Sequence, residues 1–167
     1  MFEWSNKVRP TFLNSFASCF SFSLYNISTD LLKGENLIAL EIIQKKYPCA
    51  VQVHGYKGYD IWIPEITKSI EVKSDKKSNF TGNFVVEFEM NNKKSGLMTT
   101  CADYWLFYDG EYFYCAKPMT IVYCIFLNKM KYAEFVGNGD TKAKKAFLIP
   151  KDILISFCDK IEHALLK

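Results

Sequence analysis

Apolar residues recur at every second position in several short runs, and strands present alternate side chains to opposite faces. In Ser69–Ser74, Ile70 and Val72 point one way while Ser69, Glu71 and Lys73 point the other. In Tyr59–Ile63, Tyr59, Ile61 and Ile63 share a face and Asp60 lies opposite them. Pro64 falls between the two runs, so they read as neighbouring strands. Asn83–Met90 is a further strand, with Phe84, Val86, Phe88 and Met90 on one face and Val85, Glu87 and Glu89 on the other. Asp109-Gly110 is a tight-turn signal joining Tyr104–Tyr108 to Glu111–Cys115 as a hairpin. Short strands are also expected at Ala50–Val53, Tyr132–Val136 and Ala146–Ile149.

Three segments switch to helical spacing. From Asp30 to Tyr47 the stripe Glu35, Ile38, Ala39 and Ile42 lies on one face, with Ser28, Thr29 or Asp30 as N-cap and Pro48 as terminator. Helices are also predicted from Pro118 to about Lys129 and over Pro150–Leu166, each opened by a proline. Lys76–Thr81 reads as a polar loop, and Ser95–Trp105 as a serine-glycine turn leading into a strand. Residues 1–29 carry no clear pattern and read as an N-terminal extension, packing on the domain or on a partner subunit. Residues 30–167 then form a single α/β (α+β) domain with a mixed central β-sheet of five or six strands flanked by helices.

The 167 residues are 49% hydrophobic and 16% aromatic, enough for a sizeable core and too apolar for a disordered chain. The formal net charge of +3 does not by itself demand a polyanionic partner. Its distribution says more: Lys76-Lys77, Lys93-Lys94 and Lys142/Lys144/Lys145 cluster in loops flanking the strand pair, suited either to water or to a phosphate backbone. The six cysteines lack a C-x-x-C pair, and with two histidines they form no zinc pattern. Reduced thiols in a cytoplasmic protein are the simpler account. No window reaches the roughly 20 apolar residues of a membrane span.

Two carboxylates and an ammonium brought together have a specific chemical use. If the two strands are neighbours, Asp60, Glu71 and Lys73 converge. The acids offer oxygen ligands to Mg²⁺, which polarises a phosphoryl oxygen and lowers the pKa of a bound water. The lysine orients that water or neutralises charge on the phosphate. The same stretch also suits an amphipathic hairpin with a solvated charged face. Glu89 is expected to face water; Glu87 is open between water and the site.

Asp60, ten intervening residues, then Glu71-Val72-Lys73 resembles the signature of the PD-(D/E)XK (restriction-endonuclease-like) nuclease superfamily, with Tyr59 where the family name has proline. The segment Ser95–Trp105 is similar to one found after the third core strand in Holliday-junction-resolvase-like and phage-type members. The resemblance implies a restriction-endonuclease-like core over roughly residues 30–115. It implies a Mg²⁺-dependent DNA endonuclease, with Mn²⁺ able to substitute, acting on branched or duplex DNA as a homodimer. In that scheme Asp60, Glu71 and the Val72 carbonyl hold the metal, helped by Glu35 from the first helix, and Lys73 positions the attacking water. Ser95, Thr99 and Thr100 become phosphate contacts, with Lys76, Lys77, Lys93 and Lys94 beside them, while Asp103 is either a site residue or a turn cap. The alternative is a catalytically inactive nucleic-acid-binding or scaffold protein that retains the fold.

Overall fold

The computed structural model describes residues 34–137 and 141–162, the last four as backbone only. The expected N-terminal extension over residues 1–29 therefore lies outside the described residues. The chain is a mixed α+β structure of two sheets and, among the described residues, four α-helices. In order these are α1 (Glu35–Gln44), β1 (Val51–Gln52), β2 (Ile61–Ile63), β3 (Lys68–Ser74), α2 (Ser78–Thr81), β4 (Asn83–Met90), β5 (Lys93–Lys94), β6 (Tyr104–Tyr108), β7 (Tyr112–Ala116), α3 (Pro118–Leu127), β8 (Tyr132–Val136), β9 (Ala143–Pro150), α4 (Lys151–Ser156) and β10 (Asp159–Glu162). Short 3₁₀ turns occupy Pro64–Ile66 and Gly96–Met98.

Six strands form the first sheet in the order β1-β2-β3-β6-β7-β10, where β3 and β6 are parallel and all other neighbours antiparallel. The β6 sequence YWLFY is buried at all five positions because both faces of this sheet are covered. Tyr104, Leu106 and Tyr108 meet Ala39, Ile42 and Ile43 of α1, together with Ile61, Ile63, Ile70 and Val72. Trp105 and Phe107 turn the other way, onto Phe84 and Val86 of β4, Ile149 of β9, Ile121 and Cys124 of α3, and Leu154 of α4. The second sheet, β5-β4-β9-β8, lies on that side. The result is layered: α1, the six-stranded sheet, then the four-stranded sheet with α3 and α4.

Three expectations change. One central sheet was expected, and there are two, because β4 pairs with β9 rather than joining β3. The polar stretch Lys76–Thr81 contains the one-turn helix α2, closed by Gly82 at φ 72°. The C-terminal helix stops at Ser156, and Asp159–Glu162 becomes β10, laid antiparallel along Tyr112–Cys115. The open edge of β7 offers unpaired backbone donors and acceptors, and satisfying them outweighs helical spacing in this tail.

Candidate active site

β2 and β3 are paired as the alternation required, with Ile61 opposite Ile70. Regular pairing continues one residue further, through the Asp60 N–H to the Ile70 carbonyl at 2.8 Å. The Asp60 side chain then takes over from the ladder: its Oδ2 accepts the Val72 N–H at 2.7 Å. A strand residue's N–H and C=O leave on the same side, so the Val72 carbonyl faces this gap too. Tyr59 does not continue the face of Ile61 and Ile63; outside the regular strand, it packs with the opposite core.

Glu71 and Lys73 project from β3 on the face shared with Trp105 and Phe107, their register partners in β6. The Lys73 ammonium pairs with Glu71 Oε1 and sits over the Trp105 ring at 5.2 Å from its centroid. Burial pushes the Glu71 carboxyl above the ordinary range; Lys73 opposes this, and the nearby Asp60 charge adds to it. The influence of Asp60 places the two carboxylates within electrostatic reach of each other. Glu71 and Lys73 are thus in contact, and Asp60 lies near enough for its charge to act on Glu71.

Beside that place opens a cleft of about 870 Å³ between the two sheets. Glu71 and Lys73 line it from β3, and Val85, Glu87 and Lys94 line it from the β4–β5 arm. Five lysines (57, 73, 77, 94 and 144) against three carboxylates (Asp75, Glu71 and Glu87) give it a positive balance, which draws anions in. Ser95, Thr99, Thr100, Lys77 and Lys94, all singled out from sequence, are on its walls. Ser95 donates to Glu87, and Thr100 Oγ1 accepts the Trp105 indole N–H at 3.0 Å and the Ala102 N–H at 3.2 Å. Glu87 also faces Lys144 at 3.7 Å, so it belongs to the cleft, whereas Glu89 pairs with Lys145 at 2.6 Å.

Other candidates stand elsewhere. Glu35 pairs with Lys76 at 2.7 Å, which together with Ser74 holds its carboxyl below the ordinary range against the effect of burial. Neither Glu35 nor Lys76 lines the cleft, and Lys93 does not either. Asp103 is a structural clamp between the starts of β3 and β6: it accepts from Lys68 Nζ at 2.8 Å, the Ser69 N–H at 2.9 Å and the Ser69 hydroxyl at 3.0 Å. Burial works to raise its carboxyl, but these donors win and hold it below the usual value. It ties two strands together rather than capping a turn.

Asp75 and Tyr56 are among the cleft residues not singled out from sequence. Asp75 accepts the Val85 N–H at 3.0 Å across the mouth of α2, and burial raises its carboxyl above the usual value. Its signal was present as a third acid immediately after EVKS. Tyr56 lies in an irregular loop, where periodicity carries no information; only its flanking glycines, Gly55 and Gly58, marked the segment.

Among the described residues no group of three or more His, Cys, Asp or Glu side chains is arranged to hold a metal. The candidate donors are the Asp60 and Glu71 carboxylates, near enough for the charge of one to act on the other, and the Val72 carbonyl on the Asp60 side of β3. Asp60 uses Oδ2 and Glu71 uses Oε1 in the hydrogen bonds above, which leaves each a second oxygen to offer. So small a set suits Mg²⁺, an ion that keeps several waters and takes one or two carboxylates; it does not suit zinc.

No family model, curated protein or solved structure matches the chain.

Proposed function

We propose that this protein is a Mg²⁺-dependent nuclease that hydrolyses phosphodiester bonds in DNA. The observation carrying the reading is the Glu71–Lys73 pair on the wall of a lysine-lined cleft, with Asp60 on the neighbouring strand near enough for its charge to act on Glu71. Asp60, Glu71 and the Val72 carbonyl would hold the ion. When bound, Mg²⁺ supplies a Lewis acid and a hydroxide near neutral pH. The cleft lysines bind the flanking phosphates, and the Lys73 ammonium offsets charge developing on the phosphate under attack. Lys73 also shares Glu71's charge before substrate arrives, which keeps two neighbouring carboxylates tolerable in a half-buried place.

The test is a gel assay on plasmid, linear, branched and single-stranded DNA with Mg²⁺, Mn²⁺ or EDTA. Wild-type protein is expected to cut in Mg²⁺ and not in EDTA. Asp60→Asn and Lys73→Ala, shown by circular dichroism to be folded, are expected to lose at least 100-fold in rate, on the order of one electrostatic contact to the transition state. DNA binding without cleavage by wild type would replace the reading with that of a non-catalytic nucleic-acid-binding protein.

A further inference from the structure

Tyr56 has an unusual setting for a large aromatic residue. It is 51% exposed, yet held in place from two directions. Tyr59 meets its ring edge-on, with centroids 5.0 Å apart and planes at 68°. The ring lies over the backbone of Gly58, where any Cβ would collide with it. An exposed ring normally retains rotamer freedom, so one clamped against a glycine presents a fixed apolar plate. The plate lies on the lip of the cleft that holds Glu71 and Lys73. Phe135 of β8 adds an aromatic on the wall contributed by the second sheet.

We propose that the cleft takes an unpaired DNA strand, with a base stacked on Tyr56 while Lys77, Lys94 and Lys144 meet its phosphates. The proposal rests on the nuclease reading for the fate of the strand but not for its binding. Three features favour an unpaired strand over a duplex. A duplex keeps its base faces stacked inside and shows a protein only groove edges and backbone, so a fixed aromatic plate has nothing to stack against. An unpaired strand exposes those faces, and aromatic plates with basic walls are what sequence-tolerant single-strand binders use. The cleft, at about 870 Å³, is also of the size that holds a compact ligand, room for a few nucleotides.

Binding and cleavage are measured separately. Fluorescence anisotropy of the full chain in EDTA compares a labelled oligothymidylate with a duplex of equal length. The single strand is expected to bind about tenfold tighter than the duplex. Tyr56→Ala is expected to weaken single-strand binding about tenfold and leave duplex binding unchanged. Tyr56→Phe, which keeps the ring, should retain most of the affinity. Gly58→Ala should reproduce the Tyr56→Ala loss, because its methyl group displaces the ring rather than backbone. Equal binding of duplex and single strand, or no effect of Tyr56→Ala, overturns the inference. Metal-dependent cleavage with Tyr56 indifferent leaves the nuclease reading intact and this one wrong. Tyr56-dependent single-strand binding with no cleavage of any DNA does the reverse.

Discussion

At the scale of single residues, the pair Asp60 and Glu71 is costly to the fold. Burial and the neighbouring Asp60 charge raise the Glu71 carboxyl more than Lys73 lowers it. A group whose pKa rises on folding is destabilising in its ionised form. Glu71→Gln removes that charge and retains the shape. Without metal it should therefore raise Tm, by about 3 °C for a gain of about 1 kcal/mol. Adding Mg²⁺ or Mn²⁺ should raise the wild-type Tm by linkage and leave the variant unmoved. Differential scanning fluorimetry with and without metal reads both; a variant less stable than wild type in EDTA would mean that Glu71 is there for structure. Under the nuclease proposal this is a trade of stability for chemistry, of the kind functional sites make. The three site residues were legible because strand alternation fixes their common face and an acid two residues from a lysine keeps them adjacent. Tyr56 was not legible, since nothing in a loop's sequence says which way a ring will fold.

Among the elements, the β6–β7 turn shows how a local signal and a distant partner combine. Asp109-Gly110 predicted a hairpin, and Asp109 Oδ1 does accept the Glu111 and Tyr112 N–H groups, each at 2.7 Å. Its Oδ2 reaches further, to Lys151 of α4 at 2.6 Å and the Tyr114 hydroxyl at 3.0 Å. The side chain is buried, and burial alone would raise its carboxyl; these donors outweigh burial and lower it. A depressed carboxylate stabilises the fold above its unfolded pKa, and that stability is lost as pH falls through the folded value. Melting curves on acidification below the ordinary value of 3.8 should thus drop more steeply for wild type than for Asp109→Asn. Asp109→Ala takes the acceptor from two N–H groups and the buried Tyr114 hydroxyl and breaks the pair with the partly exposed Lys151, at about 3 kcal/mol or about 10 °C in Tm at neutral pH. A second turn is more brittle. Gly96 has φ 48°, and a Cβ there would strike the Glu87 backbone carbonyl. Gly96→Ala should cost about 2 kcal/mol in urea unfolding and shift the Ser95 hydroxyl off Glu87. Alternation gave β4 its observed bounds, and the Asp109-Gly110 turn signal gave β6 its end. The C-terminal tail failed because helix or strand there was decided by the vacant edge of β7, a partner far away in sequence.

Over the whole molecule, what local patterning leaves open is which strands find each other. NFVVEFEM announces a strand with one buried face, but nothing in those eight residues says that the face will close over β6 from a second sheet. Alternation has a period and no address. That missing pairing creates the cleft, because the β4–β5 arm folds back to bring Lys94 and Glu87 opposite Lys73 and Glu71. It also sorts the lysines. Lys76, Lys145 and Lys151 are held by Glu35, Glu89 and Asp109 at 2.6–2.7 Å, whereas Lys77 and Lys94 line the cleft. Only a lysine that meets a phosphate releases a counterion, and each one contributes about −0.7 to the slope of log K against log salt for a single strand. Lys77→Ala and Lys94→Ala should each flatten the slope by about 0.7, and together by about twice that. Lys145→Ala, which removes the same charge from a paired surface site, should leave the slope where it was. Equal flattening by all three would mean that the strand is drawn by net charge rather than seated in the cleft, and the assignment of these walls to nucleic acid would fall with it.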